Sequence, residues 1–256
     1  MATQSLLHYL SIALPSIPLQ GAAPSTNTTN PRYGAPDIDH IVSWSDFNYG
    51  IMYQRYGAIL NAKQIHPDPF RSPPDGIRDE ATFHLRFGEL VLPRIRRALR
   101  AGFEQLEPQR LQRQLSPVKF DGGERADILD QFRPDTAFFV AGGSNITCPN
   151  RAPGDLTVSW KWRSSMRDSE IRRDRHEYKQ TLAQVNFYMK QHGARYGFIL
   201  TDAEFVAVKR LNANGYLAVA EAVPWKSGGM GNFSVLLGLW YLGMLAAEDQ
   251  TWALNG

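Results

Sequence analysis

Between residues 79 and 247 the apolar positions switch repeatedly between a helical and a strand period, and few folds accommodate that alternation. Phe83, Phe87, Val91, Ile95 and Leu99 recur every four residues and line one stripe of a helix over 79–100. Pro93 should kink it, and Arg94, Arg96, Arg97 and Arg100 at its far end suit the negative C-terminal dipole. Thr136–Val140 is a short apolar run leading to Gly142-Gly143 and reads as a buried strand. Over 156–162, Leu156, Val158, Trp160 and Trp162 alternate with Thr157, Ser159 and Lys161, while Asp155 continues the second face. That pattern predicts a half-buried strand with one polar face.

A second long helix is expected over 169–192, with Tyr178, Leu182, Val185 and Met189 as its stripe and Gly193 as its stop. Residues 196–201, 205–211 and 216–222 read as strands, with a hairpin turn over 212–215. An apolar helix over 233–247 closes the chain. The order predicts an α/β fold, a central mixed sheet flanked by helices.

The rest of the 256 residues divides at composition changes. Residues 20–36 are rich in Ser, Thr, Asn, Pro and Gly, so 1–36 reads as a disordered leader and linker. Residues 37–78 read as a helical and loop extension: Trp44, Phe47, Tyr49, Tyr53 and Tyr56 suit short helices, and four prolines over 66–76 enforce a loop. The chemistry-bearing domain is then 79–256. No apolar run is long enough to span a bilayer, which argues against a membrane partner. The apolar stretch over 6–19 lacks a preceding Lys or Arg and is broken by Pro15 and Pro18, so it is a poor signal peptide. Two sequons, at Asn27 and Asn145, carry little weight beside this. One cysteine, Cys148, excludes an intrachain disulfide and a cysteine zinc site, and suits a reducing compartment, cytoplasm or nucleus. The net charge of +3 permits a polyanionic partner without requiring one.

Metal-assisted phosphodiester cleavage needs carboxylates that hold a hard cation and an amine beside the charge that develops. The chain offers Pro134-Asp135 at the start of one strand, Asp155 at the start of the next, Glu80 early on the preceding helix, and Lys161 on the face of Asp155. Gln184 and Tyr188 lie one turn apart on the following helix and share a face.

Pro-Asp, then an acid at the head of a lysine-bearing strand, then a helix with Gln-x-x-x-Tyr, resembles the PD-(D/E)xK nuclease superfamily in its RecB-like branch. The stretches 154–156, 159–162, 184–190, 195–202 and 239–245 are similar to a fungal group within it. The resemblance covers about 79–247 and implies a restriction-endonuclease-like core and a DNase-like hydrolase using Mg²⁺ or Mn²⁺ on DNA. It implies that Glu80, Asp135 and Asp155 are metal ligands, that Asp135, Asp155 and Lys161 are catalytic, and that Gln184, Tyr188 and Arg163 face substrate. In the family the residue two after the second acid is Lys; here it is Thr157. On a continuous strand, Lys161 would stand about 20 Å from Asp155 at ~3.3 Å per residue. Weak cleavage at best follows, and the alternative is a repurposed member whose cleft takes a small molecule.

The other candidate signals are weaker. Arg163, Arg167, Arg172, Arg173 and Arg175 are suited to phosphate contacts, but the interleaved acids favour a solvated face. The histidines at 40, 66, 84, 176 and 192 show no metal-binding spacing, and Gly228-Gly229-Met230-Gly231 reads as a mobile loop.

Overall fold

The computed structural model describes residues 2–21, 26–27, 29–70, 72–140 and 148–254. Gly142-Gly143, the sequon at Asn145 and the middle residue of the sequon at Asn27 lie outside these. In chain order the elements are β1 (Gln4–Ser5), α1 (Leu6–Leu10), β2 (His40–Ser43), α2 (Tyr49–Ala62), β3 (Gln64–Ile65), α3 (Glu80–Leu90) and α4 (Leu92–Leu106). Then follow α5 (Arg110–Arg113), β4 (Val118–Gly122), β5 (Thr136–Val140), β6 (Gly154–Leu156) and α6 (Arg172–Gln191). The chain closes with β7 (Tyr196–Leu200), β8 (Glu204–Arg210), β9 (Tyr216–Val219), β10 (Val223–Pro224) and α7 (Val235–Ala247).

Eight strands form one mixed sheet, in the order β2-β9-β8-β7-β6-β5-β4 with β10 added to β8. The β2–β9 and β6–β7 pairs are parallel and the others antiparallel. Side chains alternate across the strands and build a core on each face. Phe198, Leu200, Phe205 and Ala207 join the apolar helices α1 to α4 and α7 on one side. Ile199, Val206 and Val208 meet Tyr178, Leu182, Val185 and Met189 of α6 on the other. All thirteen residues of α7 are buried, so it is packed on every side, as an all-round apolar helix must be.

Several expectations need correction. The leader is not disordered where the structure describes it. Its α1 buries Leu6, Leu7, Tyr9 and Leu10, and β1 pairs with β3. Leu14 is buried too, the Trp225 indole donates to the Pro15 carbonyl, and the Gly229 N–H donates to Ser11 O, which docks the glycine loop expected to be mobile. Apolar burial at ~25 cal/mol per Å² outweighs the propensity signal that made this segment look unstructured.

The helix over 79–100 is two helices. The break falls at Val91, and Pro93 sits in the first turn of α4, where its missing N–H costs nothing. The arginines therefore lie early and midway along α4, not at a C-terminus. Arg94, buried, donates to Leu90 O at 3.0 Å and caps the end of α3 instead. All five stripe residues are buried.

The strand expected over 156–162 stops at Leu156. In the N-terminal extension, β2 runs parallel to β9 where only short helices were expected, and β4 adds an edge strand that the sequence did not reveal.

Candidate active site

The site forms where β5 and β6 begin side by side. Thr136 pairs with Gly154, which places Asp135 and Asp155 at the heads of adjacent strands. Gly154 permits this approach: a Cβ there would fall 2.1 Å from the Phe198 ring and 2.4 Å from Thr136 Oγ1. The Asp135 carboxylate accepts the Leu156 N–H at 2.7 Å. Asp155, 6% exposed, points to α6, where Gln184 Nε2 donates to its Oδ1 at 2.8 Å and to Tyr188 Oη at 3.3 Å.

After Leu156 the backbone folds into a turn, with the Lys161 N–H on Val158 O at 2.9 Å and the Trp162 N–H on the same oxygen at 3.2 Å. Asp202 pins this turn, accepting the Ser159 N–H at 2.7 Å and its hydroxyl at 2.8 Å. Trp162 is thereby buried against Tyr178, its indole donating to Tyr178 O. Apolar alternation alone does not separate this turn from a strand, because Val158 and Trp162 are buried in both.

The consequence is chemical. Folding back brings Lys161 Nζ to 3.0 Å from Glu80 Oε2, and the Thr157 hydroxyl donates to Glu80 Oε1 at 2.7 Å. The 20 Å separation expected from strand geometry does not apply. Thr157, two residues after Asp155, instead anchors the acid that holds Lys161. Glu80 is the first residue of α3, directly after its cap Asp79, so the helix start fixes its position.

Electrostatics tie the acids together. Burial pushes the Asp155 carboxyl well above the ordinary range, Asp135 and Glu80 push it further, and Lys161 pulls it back. Asp135 is also raised, first by burial, with His84 and the Leu156 N–H opposing. Burial, with Asp155 second, lifts Tyr33 to about 12 and raises Tyr188 as well.

Two residues of the site escaped the sequence reading. His84 lies 3.9 Å from Asp135 Oδ2, and its Nε2 is 3.1 Å from the Leu156 carbonyl, which makes that nitrogen a donor. It follows Glu80 by one helical turn, a spacing that could have flagged it. Tyr33 comes from the segment read as linker and packs 5.4 Å from Phe187; no sequence pattern marked it. Arg163, expected at the substrate, is exposed, and its guanidinium is tied to Ser159 O at 3.0 Å and Ser159 Oγ at 3.4 Å.

Among the described residues no three His, Cys, Asp or Glu side chains are grouped as a ready ligand set for a metal ion. The donor chemistry nevertheless suits Mg²⁺, which commonly takes one or two carboxylates and keeps its waters. Asp135 and Asp155 are two such acids: burial raises the proton affinity of each, Glu80 raises both, and Asp135 raises that of Asp155 further. A divalent cation held by these acids would offset that cost. Comparison with protein-family models, curated proteins and solved structures finds no match to this chain. Among the described residues no helix is long and apolar enough to cross a membrane.

Proposed function

We propose that the chain is a metal-dependent phosphodiester hydrolase of the PD-(D/E)xK kind, acting on DNA. The observation that carries the reading is the gathering of three carboxylates and one amine, from α3, the heads of β5 and β6, and the turn after β6. The order of these elements and the Gln184–Tyr188 pair on the next helix support a restriction-endonuclease-like core.

In this reading Asp135 and Asp155 would hold Mg²⁺ or Mn²⁺, with Glu80 as the third acid of the site. The bound cation supplies a water of lowered pKa and neutralises charge on the phosphoryl group. The residues of the chain do the rest. Gln184 fixes the Asp155 carboxylate by donating to one oxygen and leaves the other for the cation. Glu80 orients the Lys161 ammonium, which faces the charge that builds on the phosphate. The Leu156 N–H and His84 favour the ionised form of Asp135 and partly oppose the effect of burial.

The test is cleavage of single- and double-stranded DNA in Mg²⁺ or Mn²⁺ by wild type, Asp135→Ala and Asp155→Asn. Cleavage lost in both variants supports the reading. A folded wild type that cuts neither substrate with either metal rejects it and leaves the cleft to a small-molecule ligand.

A further inference from the structure

The hollow beside the acids has a composition that general phosphate chemistry does not require. It measures about 530 Å³ and is lined by Asn30, Tyr33, Ile128, Gln131, Phe132, Arg133, Gln184 and Tyr188. Its volume falls in the range of small-ligand sites, roughly 300–1,000 Å³. Gln184 joins it directly to the site, since the same side chain donates to Asp155.

Three features give the hollow its chemistry. The first is an apolar lip: Ile128 is 54% exposed, and Phe132, half-buried, packs edge-on against Phe187 at 4.8 Å and Tyr33 at 6.4 Å. The second is a cation. Arg133 stands two residues before Asp135, influences its charge, and makes no salt bridge among the described residues. The third is the turn that builds the lip. Asp130 and Gln131 have φ of 52° and 65°, left-handed backbone that non-glycine residues seldom adopt, and they do so consecutively. A bridge between Leu129 and Phe132 closes this turn, and Arg32 pairs with Asp130 across it. The strained pair carries the Gln131 amide to the rim and fixes Phe132 beside it.

We infer that this hollow is a subsite for one unpaired nucleotide, so that the substrate presents a single strand to the acids. This deepens the nuclease reading and rests on it. A flat apolar lip suits the π-face of a base, as in single-strand binding sites, where stacking tolerates any sequence. Amide groups at Asn30 and Gln131 offer donors and acceptors to a base edge. Arg133 is placed for the attached phosphate, on the side toward Asp135. A base held in a duplex is stacked and paired on its edge, and must leave the helix to enter such a hollow.

Binding, measured apart from cleavage, tests this. Full-length protein in EDTA is titrated into a fluorescein-labelled 15-nucleotide DNA, either single-stranded or annealed to its complement, and anisotropy is followed. The single strand should bind about tenfold more tightly than the duplex. Phe132→Ala and Arg133→Ala should each reduce single-strand affinity several-fold and leave duplex affinity unchanged. Gln131→Gly keeps a turn that glycine accepts, so it should weaken the single strand while the melting temperature holds or rises. Lys190→Ala, exposed at the end of α6, is the control and should change nothing.

Equal affinity for the two DNAs, no binding of either, or single-strand affinity indifferent to all three lip variants overturns the subsite. A lip-dependent single-strand preference in a protein that cuts nothing in Mg²⁺ or Mn²⁺ keeps the subsite and rejects the nuclease reading. Cleavage that is blind to the lip variants and to strandedness does the reverse.

Discussion

Lys161 Nζ lies 3.0 Å from Glu80 Oε2, although 81 positions of sequence separate the two residues. The pair exists because β6 is only three residues long and the turn after it reverses the path of the chain. An amine is thus present beside the acids even though Thr157, not a lysine, stands two residues after Asp155.

The first expected outcome concerns that amine. Lys161→Ala should lower DNA cleavage by about a hundred- to thousandfold, the range for removing one electrostatic contact to a transition state. Thr157→Lys in the wild type should bring no gain, because it discards the hydroxyl that anchors Glu80 at 2.7 Å and duplicates a charge already supplied. The cleavage rate constant under single-turnover conditions measures both. Cleavage by Lys161→Ala at the wild-type rate contradicts the assignment.

The leader offers a test that needs no activity. Leu10 of α1 is fully buried, and its carbonyl accepts the Ser234 hydroxyl at the start of α7. Leu10→Ala should cost about 2–5 kcal/mol. Denaturant unfolding reads this directly. A loss under 1 kcal/mol would show that α1 rests on the core without being part of it.

Asp155 makes stability depend on pH in a direction opposite to most carboxylates. Its folded pKa lies above the unfolded value near 3.9, so the folded state keeps this proton to higher pH. The favourable contribution is complete below the unfolded pKa and disappears as pH rises through the folded one. In EDTA, Asp155→Asn should therefore melt higher than wild type at pH 7, by roughly 2–4 °C per kcal/mol relieved, and the gap should shrink toward pH 4. Mg²⁺ should raise the melting temperature of the wild type and not of the variant. A gap that is the same at pH 4 and pH 7 refutes the burial argument.

Much of this architecture was legible because periodicity reports burial. The stripes of α3, α4 and α6, the apolar run of β5 and the hairpin between β8 and β9 all follow from it, and Gly193 ends α6 at φ 63° as its lack of a Cβ allows. What periodicity misses is direction. Val158 and Trp162 are buried whether 156–162 runs straight or turns, and the partner that decides, Asp202, lies on a distant loop. The acids Glu80, Asp135 and Asp155 were legible as a set. Tyr33 and the lip at Phe132 were not, since their roles depend on contacts between segments a hundred residues apart.

The last expectation follows from Gln184. Asp155 is buried with two acids nearby, and the Gln184 amide at 2.8 Å stabilises its charged form. Replacing Gln184 with Leu keeps the bulk and removes the donor. The proton affinity of Asp155 should then rise further, and the cation must displace a proton from it to bind. The acidic limb of the pH dependence of kcat/KM should move to higher pH, while the rate on the alkaline plateau changes less. Gln184→Glu makes the contrast: a second carboxylate in the same place repels Asp155 and should move the limb further still. Metal dependence separates this from a loss of substrate contacts, because raising Mg²⁺ should restore much of the rate of Gln184→Leu at low pH by competing with the proton. If the limb stays where it is in both variants, Gln184 serves the substrate alone, and Lys161 is the group that opposes the raised proton affinity of Asp155.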